Sequence, residues 1–252
     1  MTFLPASVIP IKDRITCCVW GPPKSGKTTF ALTFPEPIYY FLWDSGGLDH
    51  HLAKIKKMNR DISVAMYDLS TVLEVDDAGP VLKDFGQDFD YACTATTEKG
   101  TIVFDTSTEL WKLYQQKMYA DVTKQLRAKG KEVPERMPQR FYDKPNEDWR
   151  QKMHRIKHGT SANLVMIERE KPVYDSSGQD TGRKARQGQS SNSYETQLTL
   201  RMGVDKDPGG KIQSHYVVVE AAGLADSDPL IGMRLEYPTY TMLKSLIGGL
   251  SG

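Results

Sequence analysis

Short apolar runs alternate with stretches of mixed polarity along most of the chain. ITCCVWG (15–21) is too short for a core helix and ends in glycine, so it predicts a buried strand. GKTTFALTF, which follows, predicts a short helix stopped by Pro35 and Pro37. IYYFLW (38–43), ISVAMYDL (62–69), TIVFD (101–105) and NLVMIE (163–168) predict four more strands. TSTELWKLYQQKMYADVTKQL has helical periodicity and opens with Thr106 and Glu109 at capping-box spacing. NEDWRQKMHRIKHG (146–159) predicts another helix, closed by glycine.

The remaining segments read differently. KGKEVPERMPQRFYDKP (129–145) is rich in proline and charge, hence a loop. KPVYDSSGQDTGRKARQGQSSNS (171–193) has almost no large apolar residues and predicts a long flexible loop. YETQLTLRM (194–202) and SHYVVVEAAG (214–223) predict a hairpin joined at DKDPGG, followed by a tail helix near YTMLKSLIG and disorder over 246–252. Strands alternating with helices imply an α/β fold. The expected architecture is a mostly parallel central sheet with helices on both faces and antiparallel strands at one edge, in a single domain over 1–252.

Composition narrows this little. Apolar residues at 39% and charged residues at 26% are ordinary for a soluble globular chain. The sequence has no run of about 20 apolar residues, so no membrane partner is expected. MTFLPASVIPIKDR lacks the basic and apolar regions of a secretory signal, which gives cytoplasmic as the expected location. Cys17 and Cys18 point to opposite faces of one strand and, with Cys93, offer no disulfide or metal framework. Charge is more informative. The net +1 conceals 11 acidic and 2 basic residues over 61–109 (2 − 11 = −9), then 18 basic and 10 acidic residues over 112–186 (18 − 10 = +8). A basic half after an acidic half favours a polyanionic partner.

The chemistry begins at Gly21–Thr28, GPPKSGKT, which fits the phosphate-loop pattern G-x-x-x-x-G-K-[ST] between a strand and a helix. Gly21, Pro22, Pro23, Lys24, Ser25, Gly26, Lys27, Thr28 and Thr29 are the candidate nucleotide contacts. The glycines let backbone N–H groups turn toward phosphate oxygens, Lys27 reaches the outer phosphates, and the Thr28 hydroxyl suits magnesium. Asp105, at the end of a buried strand, supplies the partner carboxylate of a Walker B motif. ATP and Mg2+ are therefore the expected cofactors, with Thr28 and Asp105 as metal ligands.

WGPPKSGKTTFALTFPEPIYYFLWDSGGLD, TIVFDTSTELW and the segment beginning NLVMIERE resemble the compact RecA-like ATPases carried by bacteriophages, among them single-strand annealing proteins. The resemblance spans about 14–245, and its specific part is the two Walker motifs. It implies a RecA-type core in the host cytoplasm that binds single-stranded DNA and promotes annealing or strand exchange in recombination. It also implies a homo-oligomer with a single-strand DNA-binding protein as a further partner. The second DNA loop of such proteins corresponds to 171–193, with Lys171, Arg183, Lys184 and Arg186; the first corresponds to 129–145, with Lys129, Lys131, Arg136 and Arg140. A mobile cationic loop suits a phosphate backbone on physical grounds too.

Two departures stand out. The family places a carboxylate, most often Glu, after the second strand to activate water; this chain offers Asp44 there as the catalytic candidate beside Lys27 and Asp105. The late strand, HYVVVEAAG, carries Glu220 where RecA proper has cations, leaving Arg169 as a candidate phosphate sensor. A DNA-dependent ATPase is the leading reading, with slow hydrolysis compatible with it. The alternatives are a nucleotide-gated, non-catalytic DNA- or protein-binding module, and a phosphate-loop kinase.

Overall fold

The computed structural model describes residues 13–44, 48–72, 74–224 and 228–248. Six parallel strands form its centre: β1 (Thr16–Trp20), β2 (Ile38–Asp44), β3 (Ile62–Asp68), β4 (Thr101–Asp105), β5 (Asn163–Tyr174) and β7 (Leu198–Lys206). Two antiparallel strands, β8 (Ile212–Ala222) and β9 (Arg234–Glu236), continue the sheet from β7. The order across the sheet is β3-β2-β4-β5-β1-β7-β8-β9, with β6 (Asp180–Gln187) pairing only with β5. This is the α/β architecture the alternating pattern implies.

Period-two alternation divides the strand side chains between two cores. Cys17, Val19, Tyr40, Leu42, Val103, Val165 and Ile167 face one side. There they pack with Phe30 and Ala31 of α1 (Lys27–Ala31), Ile55 of α2 (Leu48–Lys57) and Leu243 of α7 (Tyr240–Gly248). Phe41, Trp43, Ile102, Phe104, Leu164 and Met166 face the other side. They meet Phe85 and Phe89 of α3 (Ala78–Ala95), Leu110 and Leu113 of α4 (Ser107–Ala128), and Trp149 and Met153 of α5 (Asp143–Gly159). The aromatic rings Phe41, Trp43, Phe85 and Phe104 lie 5.3–6.0 Å apart, within the usual range for edge-to-face and stacked pairs.

Four segments differ from the sequence expectation. Residues 171–193 are not a structureless loop: β5 runs on to Tyr174, turns, and returns as β6, ahead of the short helix α6 (Asn192–Glu195). The exposed outer part of this hairpin has no buried face, so it needs no apolar alternation and carries no strand signal. The tail helix continues to Gly248, so 246–248 are helical; 249–252 lie outside the described residues. Helices α2 and α3 also belong to the fold, in stretches to which the sequence reading assigns no element. In α3, Leu82, Phe85, Phe89, Ala92 and Cys93 are buried at helical spacing. Pro80 falls in the first turn, where its missing N–H costs no helical bond.

The sheet sets the position of every residue that matters below. β5 lies between β1 and β4, so the loop leaving β1 and the carboxylate ending β4 open on the same edge of the sheet, one strand apart.

Candidate nucleotide site

The loop after β1 turns on Gly21 (φ 145) and Gly26 (φ 93), with Lys24 also at positive φ (62). At Gly21 a Cβ would lie 2.2 Å from the Met202 carbonyl oxygen of β7, so only glycine fits. Gly26 packs on His215 of β8, whose Nδ1 is 3.3 Å from the Cβ position, buried and without a hydrogen-bond partner. The hairpin β7–β8 thus forms the floor of the loop. Pro22 and Pro23 have no N–H to offer, so backbone donors for an anion come from Lys24 onward. Ser25 is fully buried, and Thr29 follows within α1.

Lys27 Nζ curls back over this loop, donating to the carbonyls of Gly21 (2.8 Å) and Pro22 (2.7 Å) and to Ser25 Oγ (3.4 Å). Burial lowers its pKa, while Asp105 and Glu170 pull it up and Arg169 pushes it down again. The Thr28 hydroxyl donates to Asp105 Oδ2 at 2.8 Å, and the Tyr40 hydroxyl donates to the same oxygen. Residues 77 apart in sequence are thereby joined at the sheet edge.

This donor set fits a magnesium-bound nucleoside triphosphate. A hydroxyl that gives its proton to a carboxylate keeps its oxygen lone pairs for a hard cation, which takes oxygen ligands. Thr28 and Asp105 would hold the ion, and Lys27 with the loop amides would hold the phosphates. Held by Thr28 and Asp105, such an ion would supply charge neutralisation for the phosphates that Lys27 and the loop amides orient.

The comparisons agree with this geometry. A family model described as an AAA domain matches residues 13–218. The chain belongs to that AAA domain family. It is accordingly a nucleotide-binding protein of the phosphate-loop ATPase type, and the match extends from the strand before the loop through most of β8. A search of curated proteins finds no match. No helix among the described residues is long and apolar enough to cross a membrane.

The other sequence candidates sit as follows. Asp44 closes β2, and its side chain lies outside the described residues. Lys171, Arg183 and Lys184 are exposed on the β5–β6 hairpin. Arg186 is not free to meet a ligand: its guanidinium bonds the fully buried Glu168 carboxylate at 3.0 Å, with further bonds to Ser190 O and Ser193 Oγ. The other Glu168 oxygen accepts from Asn192 at 2.6 Å, and Asn192 in turn accepts from the Trp149 indole at 2.9 Å. Arg169 is half-exposed and paired with Glu109 at 2.6 Å. Glu109 also takes Lys112 at 2.9 Å on the same oxygen, and its backbone N–H donates to the Thr106 hydroxyl, which caps α4 as the spacing implies. Glu220 accepts from the Trp20 indole at 2.6 Å. In the 129–145 segment, Lys129, Lys131, Arg136 and Arg140 are exposed, and Arg140 lies over the Phe141 ring at 5.1 Å. Sequence reasoning missed Tyr40 and His215, because a strand tyrosine and a strand histidine carry no motif.

Proposed function

We propose that this chain is an ATPase that binds single-stranded DNA through the β5–β6 hairpin, with nucleotide state altering that grip. The observation that supports this is the continuity of β5. Its Ile167 pairs with Asp105, and two residues further on, at Arg169, the same strand begins to pair with β6 as the hairpin. That hairpin presents Lys171, Arg183 and Lys184 together with Tyr174, 59% exposed. Exposed cations and an exposed aromatic ring on one hairpin suit a flexible polyanion with stackable bases, without sequence preference. A change at the nucleotide reaches the hairpin through Arg169, which lies between them and takes part in the field at Lys27. Annealing or strand exchange, acting through several copies of the chain and with a single-strand DNA-binding protein, is the recombination role this grip would serve.

The test is anisotropy of a labelled single-stranded oligonucleotide across a salt series, with and without Mg-ATP. Replacing Lys171, Arg183 and Lys184 by Ala together should flatten the log K against log salt slope by about 2, at about 0.7 per lost phosphate contact on a single strand. An unaltered slope, or no binding by the native chain, rejects the DNA reading. A second reading, the nucleotide-gated binding module with little turnover, draws on Glu220: the late strand bears an acid engaged with Trp20 where a coupling cation would be expected. Turnover that does not respond to DNA, with intact Mg-ATP binding, would select it.

A further inference from the structure

The carboxylate of Asp105 is only 6% exposed, and burial of that depth is costly for a charge unless hydrogen bonds replace the lost water. Two donors do so, and both use Oδ2: Thr28 from the phosphate loop and Tyr40 from β2. Thr28 is accounted for as a metal ligand. Tyr40 is fully buried and belongs to β2, with β4 and β5 standing between it and the strand that carries the loop. Its ring is placed by register. Leu42 pairs with Asp105 across β2 and β4, and Tyr40, two residues earlier, shares the Leu42 face, so its hydroxyl extends along the strand to the carboxylate.

We propose that Tyr40 is a positioning residue for the metal site: its hydroxyl fixes the rotamer of Asp105 so that the carboxylate meets the cation already oriented. This rests on the reading of Thr28 and Asp105 as magnesium ligands. The physical basis is that a ligating carboxylate is held by outer hydrogen bonds, and that removing such a partner typically costs 10–100-fold in metal affinity or activity. A phenol is well suited here. It donates one proton, and its ring fills the core beside Leu42 and Val103 while the hydroxyl serves the site. With Tyr40 holding one side of Oδ2 and Thr28 the other, the arriving ion need not pay for ordering the side chain.

The experiment is calorimetric titration of ATP against increasing Mg2+ for the native chain, Tyr40→Phe, Asp105→Asn and the double variant. Melting curves of the nucleotide-free proteins are recorded alongside. Tyr40→Phe should raise the Mg2+ needed for half-maximal enhancement of ATP binding at least about tenfold, leaving metal-free ATP affinity within about twofold. In the Asp105→Asn background the same change should have no further effect on the Mg2+ requirement. Equal Mg2+ dependence in Tyr40→Phe and the native chain overturns the proposal, as does equal loss of metal-free and metal-dependent binding, which marks a structural role alone. If Tyr40→Phe fails to fold but the double variant folds, the hydroxyl serves the carboxylate and the proposal holds; if neither folds, it falls. A native chain that binds ATP without any Mg2+ dependence rejects the metal-site reading itself, a result distinct from all of these.

Discussion

Lys27 shows at the residue scale how burial and function oppose one another. Its ammonium, the group that would meet a phosphate, is held by three oxygens of the loop. Burial depresses its pKa, and Asp105 and Glu170 restore it only in part. A bound triphosphate adds negative charge beside the ammonium and so raises that pKa again. The sign follows: above the lowered pKa the free protein lacks the proton, binding takes it up, and affinity falls as pH rises through that range, by at most about tenfold per pH unit for one proton. Titration calorimetry at alkaline pH, in two buffers of different ionisation enthalpy, should therefore give different heats. Lys27→Arg stays charged throughout and should lose the buffer dependence together with the alkaline slope. Identical heats in the two buffers for the native chain would exclude proton uptake at Lys27.

Among the elements, the β5–β6 hairpin unites two roles that look alike in sequence. GRKAR reads as one cationic cluster, yet its members part company once β6 pairs with β5. Arg183 and Lys184 stay in solvent, whereas Arg186, opposite Glu170, turns under the hairpin to the buried Glu168. Gly188 lies against that acid so closely that a Cβ would be 2.2 Å from Oε1. Arg186→Ala leaves a buried carboxylate without its cation, with only neutral groups such as Asn192 and the Cys18 thiol beside it, which should cost about 3 kcal/mol. Lys184→Ala should change stability by no more than about 0.5 kcal/mol. Urea unfolding of the two variants separates them, and equal midpoints would show that the buried pair does not hold the hairpin. The same contrast marks what was legible in the chain. Gly21–Thr28 and Asp105 could be read because phosphate chemistry dictates residue types at fixed spacing beside a strand. Arg186, Glu168, Tyr40 and His215 could not, since their roles arise from pairing between strands far apart in sequence. The hairpin was hidden for a different reason: strands exposed on both faces resemble a polar loop.

At the scale of the whole molecule, the last helix packs against the elements that carry the phosphate loop. The Tyr240 N–H donates to Thr33 Oγ1 at 2.8 Å, its ring lies 5.0 Å from Phe34, and Phe34 meets Phe30 of α1 edge-on at 5.3 Å. Leu243 of α7 is buried in the same core as the strand residues beneath the phosphate loop. That helix lies beyond the 13–218 family match, yet it covers the helix that begins at Lys27. Ending the chain after residue 238 should uncover Phe34 and remove Leu243, a loss of about 3 kcal/mol at 1.5–3 kcal/mol per large buried apolar side chain. For a chain of this size that corresponds to a fall of roughly 6–12 °C in melting temperature. Mg-ATP at about 100 times its dissociation constant adds about 2.7 kcal/mol to any form that still binds it. The truncated chain should therefore melt early alone and recover most of the deficit with nucleotide, provided α1 keeps its place on the sheet. Melting unchanged by the truncation would show that α7 does not support the phosphate-loop helix. A fall with no recovery would show instead that the helix is needed to form the site.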